Sequence, residues 1–225
     1  MIKATLMDYM GSDITVVNAA RVSFGKRSSN TYTTAKDEKL IWYLAEHKHM
    51  SPFGHCFASF HVKAPIFVAR QLVKHKFLPW NEISRRYVDE EPEFYVPETW
   101  RGRAKDKKQG SDGSIKLSEY AKDGPEFIHD EARSLYNDLL KDGVCPEQAR
   151  MVLPQSMMTE WYWSGSLDAF ADMCNLRCAS DTQAETREVA TQISDRMRKL
   201  FPISWAALTD GLTEYKFGYE ENNDE

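Results

Sequence analysis

Lys74-His75-Lys76 is followed, seven residues on, by Ser84-Arg85-Arg86. Asn81 and Glu82 lie between, so two lysines, two arginines and an imidazole share one short stretch with an amide, a carboxylate and a hydroxyl. Pro79 interrupts it, so no smooth helix can carry all of these groups. Lys and Arg on an irregular loop can grip phosphate, while the amide, carboxylate and hydroxyl can hydrogen-bond a flat heterocycle. A charge run is ordinarily a solvated face. That reading fits poorly here, because the segment leading into the loop reads as buried.

Residues 56–64 alternate, with Cys56, Ala58, Phe60, Val62 and Ala64 on one side and Phe57, Ser59, His61 and Lys63 on the other. Period two predicts a half-buried strand. Pro65 suits the first position of a helix. Ile66, Ala69, Leu72 and Val73 form its apolar stripe, with Arg70, Gln71 and Lys74 opposite. Cations at the end of that helix complement its negative pole, worth about 0.3–1 kcal/mol each.

Residues 2–9 read as a strand, and Ser12 or Asp13 caps a helix through Arg21. Residues 24–36 form a polar loop, and residues 37–47 a helix. The charged segment 101–114 reads as a surface loop. Helices are expected at 126–140, 146–151, 166–176 and 183–200, the last with Val189, Ile193, Met197 and Leu200 as its stripe. Residues 155–163 read as a strand, and the acidic tail from Glu220 as frayed. The whole chain, 1–225, reads as one domain.

Composition narrows the function classes. The chain has 225 residues, 42% of them hydrophobic, with a net charge of -5. That balance argues against a general nucleic-acid surface and suits a small anionic ligand held by local positive charge. No apolar run approaches the roughly 20 residues that span a bilayer. The opening MIKATLMDYMGSD lacks a signal pattern, so a cytoplasmic location is expected, with no membrane contact. Cys174 and Cys178 stand four apart, on one face if the segment is helical, and read as small buried side chains. His47, His49, His55 and His61 match no usual zinc spacing, and no metal is expected. No G-x-G-x-x-G, G-K-[ST] or G-x-S-x-G occurs, which removes Rossmann, P-loop and hydrolase-elbow readings.

The segment FHVKAPIFVARQLVKHKFLPWNEISRRY resembles the signature region of flavin-dependent thymidylate synthases, in which Arg-His-Arg, seven residues and Ser recur. Ala20-Arg21-Val22-Ser23-Phe24, Ser51-Pro52-Phe53-Gly54-His55, Ala149-Arg150-Met151-Val152-Leu153-Pro154 and Asn175-Leu176-Arg177 follow in family order. The resemblance covers about residues 12–205. It implies an α/β (α+β) fold, a central, mostly antiparallel sheet flanked by helices and unrelated to the Rossmann fold. It implies reductive methylation of 2'-deoxyuridine 5'-monophosphate (dUMP). Methylenetetrahydrofolate gives the carbon, reduced FAD gives the hydride, and NADPH regenerates the flavin. A homotetramer with shared active sites is implied too.

Carried over by position, Lys74, His75 and Lys76 contact FAD, as do Asn81, Glu82, Ser23 and His55. Ser166, Asp168 and Asp172 fall on further FAD positions, where relatives often carry Asn, Arg and Asn; Asp181 falls where a relative carries His. Gln71, Glu82, Ser84, Arg85, Arg86 and Arg150 fall on nucleotide positions. Arg177 matches the residue that stabilises ionised uracil. Lys replaces Arg twice in the triplet, and Arg85 stands where the family usually has Gly. Two other readings share these residues: a deoxyuridylate hydroxymethylase, and an inactive nucleotide-binding relative.

Overall fold

β1 (Lys3–Met10) ends at Gly11. There φ is +93°, and a Cβ would stand 2.7 Å from Cys56 Sγ, so only glycine turns the chain at this point without strain. The turn leads into α1 (Asp13–Arg21) with Ser12 at its N-cap. Asp13 serves a different helix. Its carboxylate accepts from the backbone N–H of Ile203 at 3.1 Å and of Ser204 at 2.9 Å. α2 (Ala35–Glu46) begins two residues before the expected Asp37, because Asp37 is the third residue of a capping box. Asp37 accepts from the Thr34 N–H at 2.8 Å and, buried, also pairs with Arg21 at 2.6 Å. The structure, a computed structural model, describes residues 1–88, 90–105 and 110–210. The expected frayed tail from Glu220 lies outside these.

β2 (Phe57–Pro65) shows the alternation its sequence carries: Ala58, Phe60, Val62 and Ala64 are buried. α3 (Ile66–Leu72) starts one residue later than expected, with Pro65 as its N-cap. Its buried residues are Val68, Ala69 and Leu72. Ile66 and Val73, expected in the core, instead line a cleft. β3 (Trp80–Glu82) is too short for any period to reveal. β4 (Arg101–Arg103) and β5 (Ser111–Ser114) pair where a loop was expected. This polar ribbon has no apolar alternation and is tied down by the ion pair of Arg101 with the buried Glu185.

α4 (Glu119–Lys122), α5 (Gly124–Lys141) and α6 (Pro146–Ala149) follow, then a single 3-10 turn over Arg150–Val152. β6 (Met158–Ser166) runs three residues later than expected, because a turn at Pro154 must close before pairing begins. α7 (Leu167–Arg177) and α8 (Ala184–Leu200) match the two expected helices, and α9 (Pro202–Thr209) is additional.

The sheet order is β1-β2-β6-β3, with every neighbour antiparallel. Helices α3, α7, α8 and α9 contribute to its core. Phe60 sits opposite Trp163 and Val62 opposite Trp161, all fully buried. α8 lies along β1, where Gln192 accepts from the Ala4 N–H at 2.8 Å and donates to the Ile2 carbonyl at 3.3 Å. This satisfies backbone groups of an edge strand that would otherwise invite another strand. Among the described residues, no helix is long and apolar enough to cross a membrane.

Candidate active site

Four short pieces of chain converge on a cleft of ≈ 650 Å³, one of them the start of β6 with the residues just before it. α3 supplies Arg70, and its C-cap is Val73. The segment after β3 supplies Ser84 and Arg85. The 3-10 turn after α6 supplies Arg150, with Glu147 beside it. Glu82 enters the cleft from β3 and is held at both carboxylate oxygens. The Trp80 indole donates to Oε2 at 3.1 Å, and the Thr159 hydroxyl donates to Oε1 at 2.7 Å. Trp80 is itself fixed by stacking on Trp161, with ring centres 4.3 Å apart. Such support holds a carboxylate to one orientation. Arg85 donates to the Glu90 carbonyl, and Arg150 Nε to the Glu147 carbonyl at 3.3 Å. The arrangement is a concave surface with three guanidinium groups and one anchored acceptor, suited to a phosphate and a hydrogen-bonding ring.

A second group adjoins α3. Arg177 Nε donates to His75 Nε2 at 2.9 Å, and Arg177 Nη2 to the Gln71 carbonyl at 3.3 Å. The Gln71 side-chain amide donates to Gln183 Oε1 at 2.5 Å. Because Nε2 accepts, His75 is neutral, with its proton on Nδ1. Burial, seconded by the Arg177 charge, holds its pKa below the ordinary value. Lys74 and Lys76 lie on the exposed turn around His75 and make no ion pair among the described residues. Phe77 continues the turn at φ +61° and 84% exposed, a conformation uncommon for an aromatic residue. Leu78 then plugs in against Gly165, where an added Cβ would meet its side chain at 2.2 Å.

A third set lies elsewhere. Ser166 is the N-cap of α7, and Asp168 and Asp172 occupy its first half. Leu167 N–H bonds the Cys56 carbonyl at 2.9 Å, which brings the exposed His55 to this end of α7. Burial, then the Asp168 charge, raises the Asp172 pKa, and Lys48 opposes the shift. Arg177 closes the other end of the helix, ten residues beyond Leu167, or about 15 Å at the helical rise. Ser23 is exposed on the 3-10 turn after α1. Asn81 and Glu82 alternate on β3 and so point to opposite faces of the sheet. Asn81 pairs with the part-exposed Tyr162 on the face away from the cleft. Arg86 is exposed, 5.0 Å above the Tyr87 ring, and is not part of the cleft wall.

One chain therefore joins Glu82, Ser84, Arg85 and Arg150, and separately Gln71, His75 and Arg177. It does not bring Ser23, His55, Asn81, Ser166, Asp168 or Asp172 to either group. Thr159, Trp80 and Gln183 were given no role from the sequence, and Arg70 was placed only on the polar face of its helix. For Thr159 and Gln183 no local signal exists; each matters only through a partner 77 or 112 residues away. Among the described residues, no three His, Cys, Asp or Glu side chains gather as a metal site.

Two lowered imidazoles set an acid limit on stability. His75 and His129, the latter lowered by burial and then by Arg133, both release their protons more readily folded than unfolded. The unfolded chain binds those protons near pH 6.5, so stability is full above that pH and is lost as pH falls through the lowered values. The urea midpoint should drop between pH 7.5 and pH 5.5. His129→Gln, which keeps a polar partner for Ser156 Oγ (now 2.7 Å from His129 Nε2), should remove part of that drop. An unchanged midpoint in the wild type would contradict this account.

An antiparallel sheet backed by helices, with a cleft rimmed by arginines around a tethered carboxylate, defines a binder of small anionic ring compounds. The family model described as thymidylate synthase complementing protein matches residues 5–203. A flavin-dependent thymidylate synthase of Thermus thermophilus is 43% identical over 212 residues, spanning 94% of this chain and 77% of the relative. One from Thermosipho africanus is 38% identical, spanning 96% of this chain and 91% of the relative. A solved UMP/dUMP methylase, PolB from Streptomyces cacaoi bound with 5-Br dUMP, superposes with a TM-score of 0.84 at 32% identity, covering 93% of this chain and 95% of its own. The chain belongs to the flavin-dependent thymidylate synthase family.

Proposed function

We propose that the protein converts dUMP to dTMP, taking carbon from methylenetetrahydrofolate and reducing power from NADPH through FAD. The observation that carries this reading is the convergence of Glu82, Ser84, Arg85 and Arg150 on one cleft. In it, Arg85 and Arg150 bind the nucleotide phosphate, Ser84 donates to it, and Glu82 orients the ring. Arg177 holds the charge of ionised uracil, since a guanidinium stays charged and offers a planar fork of donors. Reduced FAD supplies a hydride when bound. Its pyrophosphate suits Lys74 and Lys76, whose ammonium groups have no competing ion pair among the described residues. His75, fixed by Arg177, presents its Nδ1–H as a donor.

The test is conversion of dUMP with all three cosubstrates and the mass of the product. A gain of one methyl carbon supports this reading; a hydroxymethyl product supports the hydroxymethylase instead. No product, from protein that takes up FAD and bleaches with NADPH, supports the inactive relative.

The FAD contacts of Ser23, His55, Asn81, Ser166, Asp168 and Asp172 require another copy of the chain. They lie on other faces of the protomer than Arg177 and the cleft. Exposed Phe24 beside Ser23, and Phe77, Tyr87 and Met151 on the segments around His75 and the cleft, add apolar surface. A homotetramer with sites between subunits answers both points, and we place it in the cytoplasm without membrane or nucleic-acid partners. Sedimentation should give four times the 26.0 kDa chain mass. An active monomer would contradict it.

Lys74→Arg with Lys76→Arg should tighten FAD binding by on the order of 1 kcal/mol, about fivefold, because arginine can make two parallel bonds where lysine is a point charge. Tenfold weaker binding in an FAD titration would mean that the shorter head groups are matched to this site.

A further inference from the structure

α7 sets Cys174 and Cys178 one turn apart on one side of the helix, and Cys178 is its C-cap. Cys174 is 2% exposed and its Sγ donates to the Ala190 carbonyl at 3.6 Å. Cys178 was expected to be buried as well. Instead it is half-exposed, on a separate cleft of ≈ 310 Å³ whose walls include Asn175, Ser194, Arg198 and Asp210. The Cys174 thiol and the Thr191 side chain both neighbour Cys178. The neighbouring Cys174 thiol is the main cause that lowers the Cys178 pKa to about 7, while burial, and then Cys178, raises that of Cys174 well above the usual thiol range. One thiol is thus accessible and partly ionised, and its protonated neighbour is in reach. Cys56 differs: it is fully buried, and burial pushes its thiol up to about 12. Cys145 is exposed on another element, before α6.

We propose that Cys174 and Cys178 form a peroxide-responsive pair whose closure to a disulfide displaces Arg177. The Cys178 thiolate attacks the O–O bond of hydrogen peroxide, hydroxide leaves, and a sulfenic acid forms. The Cys174 thiol then attacks that sulfur. An S–S bond forms, the S–O bond breaks, and the hydroxyl departs as water with the Cys174 proton. In sum, two thiols lose two electrons and two protons, and the peroxide is reduced to two waters.

Geometry makes closure consequential. Helical neighbours four apart have Cβ atoms about 5–6 Å apart, and a disulfide needs about 3.8 Å. The last turn of α7 must therefore move by roughly 2 Å. Arg177 is the residue before Cys178, and its bonds to His75 and Gln71 at 2.9 and 3.3 Å do not survive such a shift. The consequence for the nucleotide rests on the role proposed above for Arg177, but the disulfide itself does not.

The full-length protein is treated with hydrogen peroxide, its free thiols are blocked, and it is digested with trypsin. Cleavage after Arg177 separates the two cysteines, so a bridge leaves peptides 151–177 and 178–187 joined until dithiothreitol is added. We expect joined peptides in the wild type and in Cys145→Ser, none in Cys178→Ser, and at least tenfold weaker dUMP binding on oxidation, restored by dithiothreitol. Cys178→Ser should keep its binding after peroxide. Oxidation that stops at sulfenic or sulfinic acid on Cys178, with Cys174 still open to alkylation after unfolding, overturns the proposal. So does a bridge that leaves binding unchanged in protein whose untreated form binds dUMP. Protein that binds no dUMP before treatment defeats the functional reading instead, and the peptide result still stands or falls alone.

Discussion

Arg177→Ala should abolish turnover while the fold and FAD binding persist. The side chain spends two of its donors on His75 and Gln71 and stays half-buried at the end of α7. Its charge is thereby fixed beside α3, where an anion forming on a uracil ring would find it already oriented. Removing one preorganised donor of this kind costs about 10²–10³ in rate. Removing the whole charge should cost at least the upper figure. The structural loss is small: two hydrogen bonds at the rim, about 1–2 kcal/mol together, or a few degrees in Tm for a chain of this size. Arg177→Lys should fall between, keeping the charge without the fork. Turnover, the flavin spectrum and Tm are read together. Near-normal conversion of dUMP by the alanine variant would sink the assignment. Lost turnover accompanied by lost FAD and a large fall in Tm would make Arg177 a structural residue.

The largest stability effect is expected at Arg101. Its Nη2 lies 2.7 Å from both carboxylate oxygens of Glu185, which is 4% exposed. Tyr95 also donates to that carboxylate, at 3.4 Å. Burial pushes the Glu185 pKa up, but Arg101 and neighbouring donors outweigh it and hold the carboxyl below its ordinary value. Without Arg101 a charge is left buried and unpaired, a loss of about 3–5 kcal/mol in closed sites. Arg101 is itself 32% exposed, so water recovers part of this, and about 2–3 kcal/mol remains. Tm should fall by about 5–10 °C. Glu185→Gln in the Arg101→Ala background should restore much of it, because a neutral amide is cheaper to bury than an unpaired carboxylate.

pH supplies the second check on Arg101. In the wild type the lowered carboxyl contributes stability that is present above its unfolded pKa of about 4.5 and lost as pH falls through the folded value. In Arg101→Ala, burial is opposed by the neighbouring donors without the Arg101 charge, so that pKa rises and protonation relieves the variant. The gap in urea midpoint should narrow as pH falls from 7 toward 5. A constant gap would mean that the loss is one of packing along the Arg101 side chain.

Local physics made part of this molecule legible. β2 could be read residue by residue, because a pleated strand turns alternate side chains to opposite faces whatever surrounds it. The stripe of α8 was equally plain, since three of its four expected residues, Val189, Ile193 and Met197, are fully buried. The signature around Lys74-His75-Lys76 and Ser84 was legible for another reason: its residue types recur at fixed separations along a short loop.

Period and spacing carry no information about a polar ribbon. β4 and β5 bury no alternating side chains and are anchored by an ion pair across 84 residues. The pairing of β2 with β6, about a hundred residues apart in sequence, sets the strand on which α7 is mounted. It thereby decides that Arg177 meets His75 while Asp168 and Asp172 face elsewhere. Asn81 and Glu82 are neighbours in sequence, but β3 joins the sheet through its backbone and sends them to opposite faces. The residue types, and so the available chemistry, are written along the chain. Which of those residues can act together is a matter of contacts between distant segments, and burial of apolar surface, which drives those contacts, has no preferred direction until the whole chain has packed.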